Sequence, residues 1–140
     1  MAAPTLLQVM RGIEARLATI SGLRVSDTAP SQINPPAAFC AVPPVENYHR
    51  TFQRGRFSLT PQIWVFTSAA VDRVGQELLA EYADPVGEKS IVAALYGDKT
   101  LGGVVHDLIV RSFRPLDIEE FGAIGYFGGL FEVEVIAQGS

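Results

Sequence analysis

The sequence has few of the residues that form disulfides and metal centres. The 140 residues include one cysteine and two histidines, and 19% of the residues are charged. One cysteine excludes an intrachain disulfide, which argues against a small disulfide framework. Cys40, His49 and His106 also lack the spacing of zinc ligands. We therefore expect no metal site and no cofactor.

Long apolar runs are also missing. No run approaches the roughly 20 residues that span a bilayer, and the N-terminus lacks the basic start and apolar stretch of a signal peptide. The hydrophobic fraction, 48%, is that of an ordinary globular chain. We therefore expect a single domain over residues 1–140, with no membrane partner.

Charge is unevenly distributed along the chain, whose formal net charge is −4. Residues 1–70 carry six Lys or Arg and three Asp or Glu. Residues 71–140 carry five Lys or Arg and twelve Asp or Glu. The overall acidity disfavours general nucleic-acid binding, which depends on a basic surface. The asymmetry has two interpretations. Either the molecule has two electrical faces suited to head-to-tail assembly, or the fold interleaves the two halves.

Apolar residues at intervals of three and four predict helices. The first covers residues 5–20, with Thr5 as N-cap and Gly22 as its stop. The second covers residues 69–82. A short third helix begins after Ser90 and stops at Gly97. The predicted buried stripe of the second helix contains Val71, Val74, Leu78 and Tyr82, with Leu79 beside it.

Alternating or short apolar runs predict strands. Pro61 interrupts one of them, which favours an edge position or a bulge. Four glycines near the C-terminus predict a turn or hairpin, because their spacing is wrong for a phosphate-binding loop. The predicted strands cover residues 23–25, 37–42, 57–67, 104–113 and 127–137. The four glycines are Gly122, Gly125, Gly128 and Gly129.

Strands that are grouped, without strict alternation with helices, predict the α+β class. We expect a single domain with a central antiparallel or mixed β-sheet of about four to five strands. Two main helices should pack on one face of this sheet.

No combination of residues selects a catalytic chemistry, so we expect the protein not to be an enzyme. Cys40 lies in an apolar run, where a small buried side chain is the usual role of cysteine. The acidic residues Asp117, Glu119 and Glu120 are predicted to lie in a loop. The alternative is a small hydrolase or ligand-binding domain, which requires a pocket with perturbed titratable groups.

The polar segment 45–56 is the candidate protein-interface site. Arginine and aromatic residues are enriched at protein interfaces, and arginines also contact phosphates. We expect this segment to project from the sheet with its arginines exposed, because unpaired buried arginines are costly. The alternative is a solvated hairpin tip. The candidate interface residues are Tyr48, His49, Arg50, Phe52, Arg54 and Arg56.

Short segments in a fixed order carry a resemblance to a known family. They are Gly22 to Asp27 after the first helix, Gln32 to Ala38, Tyr48 to Gly55, Gly87 to Ile91 with Ala93 to Leu95, Thr100 to Val105, and the closing strand from Tyr126 to Val135. In this order and spacing they resemble the tail-terminator proteins (neck or tail-completion proteins) of long-tailed bacteriophages. The resemblance spans nearly the whole chain.

The resemblance implies an α+β protomer that forms a ring, commonly a hexamer, at the head-proximal end of the tail tube. Such a ring ends tube polymerisation and joins tail to head. The implied partners are further copies of the chain, the tail-tube protein and the head-connector or stopper protein. DNA passes through without specific binding. The implied location is the neck region of the virion, after assembly in the host cytoplasm. The alternative is another phage neck or minor tail protein, such as a head-completion stopper.

Overall fold

The computed structural model describes residues 5–20, 22–26, 36–42, 56–68, 73–103, 105–121 and 124–138. These ranges contain three helices and six strands. In chain order they are α1 (Leu6–Leu17), β1 (Arg24–Ser26), β2 (Ala37–Ala41), β3 (Arg56–Leu59), β4 (Gln62–Ser68), α2 (Arg73–Ala83), α3 (Ile91–Tyr96), β5 (Asp107–Phe121) and β6 (Ile124–Gln138).

β3 and β4 are two parts of one interrupted strand that pairs with β6. Leu59 lies opposite Val135 and Gln62 opposite Glu132, so the register continues across the interruption. The Val133 N–H donates to the Pro61 carbonyl over 3.1 Å, but proline has no N–H with which to complete the pair. β4 also pairs with β2. The expected bulge at Pro61 is therefore wrong. Among the described strands β3, before Pro61, pairs with β6 alone, whereas β4, after it, is an interior strand.

The sheet is mixed. β1 and β2 are parallel, and the other pairs are antiparallel. When β3 and β4 are taken together, the strand positions run β1, β2, β3/β4, β6, β5. The α+β prediction with a mixed sheet is confirmed.

One face of the sheet and all three helices enclose the main hydrophobic core. Burying this apolar surface is the dominant favourable term in folding. Cys40 lies within this core, as predicted. The fully buried core side chains include Ile13 and Leu17 of α1, Tyr82 of α2, Leu95 of α3, and Ile63, Val65, Phe131 and Val133 of the strands.

The buried stripe of α2 differs from the predicted one. Leu79 and Tyr82 face inward as predicted, together with Gly75, whereas Val74 is 72% exposed. Val71 lies outside the described residues. The Thr67 hydroxyl on β4 donates to the Gly75 carbonyl over 2.9 Å. A glycine at this point allows the helix backbone to approach the strand closely. This contact turns Val74 outward.

The predicted caps of α1 and α3 are present. The Thr5 hydroxyl accepts from the Gln8 N–H, and the Gln8 side chain accepts from the Thr5 N–H, which completes a capping box. The Ser90 hydroxyl accepts from the Ala93 N–H over 3.0 Å. α1 ends at Leu17, short of the predicted residue 20.

β5 and β6 are longer than predicted, and three of the four glycines expected in a turn or hairpin lie within β6. A Cβ on Gly128 would overlap the Val65 carbonyl oxygen, and one on Gly129 would overlap the Phe113 ring. β5 and β6 form the predicted hairpin, but Gly128 and Gly129 lie inside the sheet, where they allow close packing. Asp117, Glu119 and Glu120 lie on β5, not in a loop.

Candidate protein-interface surfaces

The predicted interface segment is only partly described. Tyr48, His49, Arg50, Phe52 and Arg54 lie outside the described residues. The backbone of Arg56 begins β3, opposite Gln138 of β6. The exposure and the contacts of the segment remain predictions.

Within the sheet, strands from the first half of the chain are grouped towards one edge and strands from the second half towards the other. Strands from residues 24–68 occupy one side, and β6 and β5 occupy the other. In sequence, β1 to β4 contain two arginines and no acidic residue, whereas β5 and β6 contain two arginines and six acidic residues. Interleaving of the halves is therefore wrong for the sheet, and its two sides have opposite formal charge. The charged residues are Arg24 and Arg56 on the first side, and Asp107, Arg111, Arg114, Asp117, Glu119, Glu120, Glu132 and Glu134 on the second.

β5 and β6 continue as a two-stranded ladder beyond the end of β4. The last β4 pair joins Ser68 to Phe127, and the β5–β6 ladder runs on to Phe121 opposite Ile124. Within the described ranges, no third strand pairs with this extension. We call residues 117–126 the acidic arm, because Asp117, Glu119 and Glu120 are its charged residues.

Side chains satisfy backbone donors along the first part of β5. The Leu108 N–H donates to Asp107 Oδ1 over 2.8 Å, and the Val110 N–H donates to the Tyr96 hydroxyl over 3.0 Å. Lys99 Nζ lies 3.4 Å from Asp107 Oδ1 and 5.0 Å from the Tyr96 ring centroid. The Leu108 hydrogen bond, with a contribution from Lys99, holds the pKa of Asp107 below its usual value. The role of Tyr96 had no signal in the sequence, since it depends on a residue 14 positions away.

The sheet face opposite the helices carries an aromatic cluster. The Phe39 and Trp64 rings are stacked, with centroids 6.4 Å apart and planes 6° apart, and Phe66 lies 6.1 Å from Phe39. Phe39 and Phe66 are buried and Trp64 is half-buried. Trp64 is the only tryptophan of the chain. Its fluorescence therefore reports on this face.

The described residues contain little that resembles a reaction centre. No group of three or more His, Cys, Asp or Glu among them could hold a metal ion. None of their helices is long and apolar enough to cross a bilayer. An open concavity of about 340 Å³ is lined by the last part of α2 and the segment that follows it, mostly by charged residues. Its lining residues are Glu81, Asp84, Val86, Gly87, Glu88 and Lys89.

Burial raises the pKa of the Cys40 thiol to about 12. In the unfolded chain the thiol ionises near its ordinary value of 9.0. Because only the unfolded state then loses the proton, stability falls as the pH rises from about 9 towards 12. At pH 10 the loss from this thiol should be about 1 kcal/mol.

Urea unfolding of the wild type and of Cys40→Ala at pH 8 and pH 10 measures this effect. The wild type should lose more stability than the variant between the two pH values, because other titrating groups are common to both. Equal losses would contradict the raised pKa of Cys40. The native thiol should also resist labelling by a disulfide reagent at pH 8.

No protein-family model matches the chain, and no curated protein shows significant sequence similarity to it.

Proposed function

We propose that the chain is a structural virion protein of a long-tailed bacteriophage. It forms a ring on the head-proximal end of the tail tube, ends tube polymerisation and joins tail to head. The proposal is supported by the ordered segments that resemble tail-terminator proteins. The α+β fold, with helices on one face of a central sheet, agrees with what that resemblance implies.

The main structural support for the proposal is the opposite formal charge of β1 to β4 and of β5 and β6, which lie towards opposite edges of the sheet. Head-to-tail contacts between different surfaces of identical subunits produce rings when the rotation closes. In such a ring, the basic side of one protomer faces the acidic side of the next. The Arg-rich segment follows β2 and precedes β3 in sequence, and the acidic arm extends from the acidic side.

Electron microscopy and native mass spectrometry of the purified protein test this proposal. We expect closed rings, commonly of six copies, or monomers that form a ring when mixed with tail tubes of the phage whose genome encodes the chain. The ring should occupy the head-proximal tube end. A protein that stays monomeric and does not bind tube ends would contradict the proposal.

The same experiment separates the alternative neck role. A head-completion stopper would bind the isolated head connector and leave free tube ends uncapped. A tail terminator binds tube ends without the head.

A further inference from the structure

The outer edge of β5 is the longest strand edge that has no neighbouring strand in the described residues. β5 has 15 residues and, among the described strands, pairs with β6 alone. Such an edge normally exposes backbone N–H and C=O groups that can pair with a strand of another molecule. The register shows which N–H groups point outward, away from β6.

Four positions between residues 108 and 115 direct their backbone groups outward. The Val110 N–H bonds to Tyr96 on α3 rather than to β6, and Leu108 lies two residues before it on the same side. The bulge between Val110 and Ser112 shifts the alternation by one residue. The Val133 N–H donates to the Pro61 carbonyl, on the side of β6 that is away from β5. Because backbone groups alternate in direction along a strand, the other odd-numbered β6 residues near Val133 also point their N–H and C=O groups away from β5. Their partners Phe113 and Pro115 therefore point outward.

Three of these four positions offer no available donor. Asp107 Oδ1 accepts the Leu108 N–H, the Tyr96 hydroxyl accepts the Val110 N–H, and Pro115 has no N–H. Lys99 contacts both acceptor side chains and holds them together. The bulge at Arg111 further disrupts a regular edge.

We propose that Tyr96, Asp107 and Pro115 form an edge guard that prevents a second copy of this chain from adding to the sheet along residues 107–115 of β5. A second copy is the relevant occupant because it presents the same long edge, and two β5 edges can pair antiparallel about a twofold axis. Between residues 108 and 115, the guard leaves Phe113 as the one outward position with an available backbone N–H. It is independent of the proposed ring, whose contacts join different sides of the sheet.

The test removes the guard. Tyr96→Phe deletes the acceptor but keeps the ring, Asp107→Ala deletes the carboxylate, and Pro115→Val restores a backbone donor. We expect the triple variant to gain at least tenfold in self-association over the wild type in sedimentation velocity. Its new contact should slow hydrogen exchange of backbone amides from Phe113 to Leu116.

The matched control is Asp84→Ala with Pro85→Val. In that exposed turn, Asp84 Oδ1 likewise accepts a backbone N–H, from Val86, over 3.3 Å. The control should associate as the wild type does. A folded triple variant with no gain in association would overturn the proposal, as would a new contact that protects amides elsewhere.

Tyr96→Phe alone keeps the proposal testable if the triple variant does not fold. The Tyr96 side chain is 40% exposed, so loss of its hydroxyl should leave the fold intact. The Val110 amide should then exchange at least tenfold faster than in the wild type. The Val133 amide, bonded to Pro61, should keep its rate. An unchanged Val110 rate would overturn the assigned contact.

Discussion

Charge reversal of Arg50, Arg54 and Arg56 to Glu is expected to abolish tail termination while leaving the protomer folded. Substitutions at exposed positions usually change stability by about 0.5 kcal/mol or less. An exposed ion pair contributes about 0–1 kcal/mol, so the effect arises from many equivalent contacts around a ring. The expected phenotype is overlong tubes or tails that never join heads, seen by electron microscopy.

The control reverses three basic residues on the helical side of the protein. Arg11, Arg73 and Lys89 are exposed and give the same change in net charge when replaced by Glu. This control should support normal tail length. If the control fails equally, total charge explains the defect. If the Arg50, Arg54 and Arg56 variant supports normal tails and phage yield, the segment is a solvated tip.

A charge swap identifies the partner of the Arg-rich segment. Asp117, Glu119 and Glu120 of the acidic arm are replaced by Lys, alone and together with the three Arg→Glu changes. If the segment meets the acidic arm of the next protomer, each set alone should fail and the combination should restore assembly. Failure of the combination would place the contact on the tube or connector. Loss of DNA passage with intact assembly would instead indicate a DNA contact.

Gly128→Ala should be strongly destabilising. The added Cβ would overlap the Val65 carbonyl oxygen and lie 2.8 Å from the Val65 carbonyl carbon and 2.9 Å from the Phe66 Cα. These are backbone atoms of an interior strand, so they cannot rotate away. We expect a loss of about 3 kcal/mol, the upper part of the range for overpacked sites. Urea unfolding followed by Trp64 fluorescence measures it.

Gly97→Ala is the matched control. Its nearest obstacle is the end of the Arg16 side chain, which has several rotatable bonds. The backbone at Gly97 is right-handed helical, a conformation that alanine adopts without strain. We expect a change of about 1 kcal/mol or less, since alanine also has the higher helix propensity. If Gly128→Ala costs no more than this control, the assigned packing of β4 against β6 is wrong.

Local signals in the sequence were enough to predict most elements. Thr5 and Ser90 start helices because their hydroxyls accept backbone N–H groups in the first turn, which depends only on nearby residues. The apolar run at 37–42 became the buried strand β2. The interface candidates were chosen by residue type alone, and most lie outside the described residues, so their role remains a prediction.

The errors occurred where a distant part of the chain decides the outcome. Val74 satisfies the helical period, but the contact between Thr67 and Gly75 sets which side of α2 faces the sheet. Gly128 and Gly129 look like turn residues, yet they lie in a strand because neighbouring groups leave no room for a side chain. Pro61 indicated an edge or a bulge, but the register runs past it without a shift, because its carbonyl still accepts the Val133 N–H.

The sequence by itself determined the α+β class and the helix caps, because hydrophobic period and capping act over a few residues. It also determined that acidic residues predominate after residue 70. Only the tertiary structure decided that the two halves lie on opposite sides of one sheet. It also decided that Tyr96 covers the edge of β5. Both depend on strand order and on contacts between residues far apart in sequence, which no local pattern encodes.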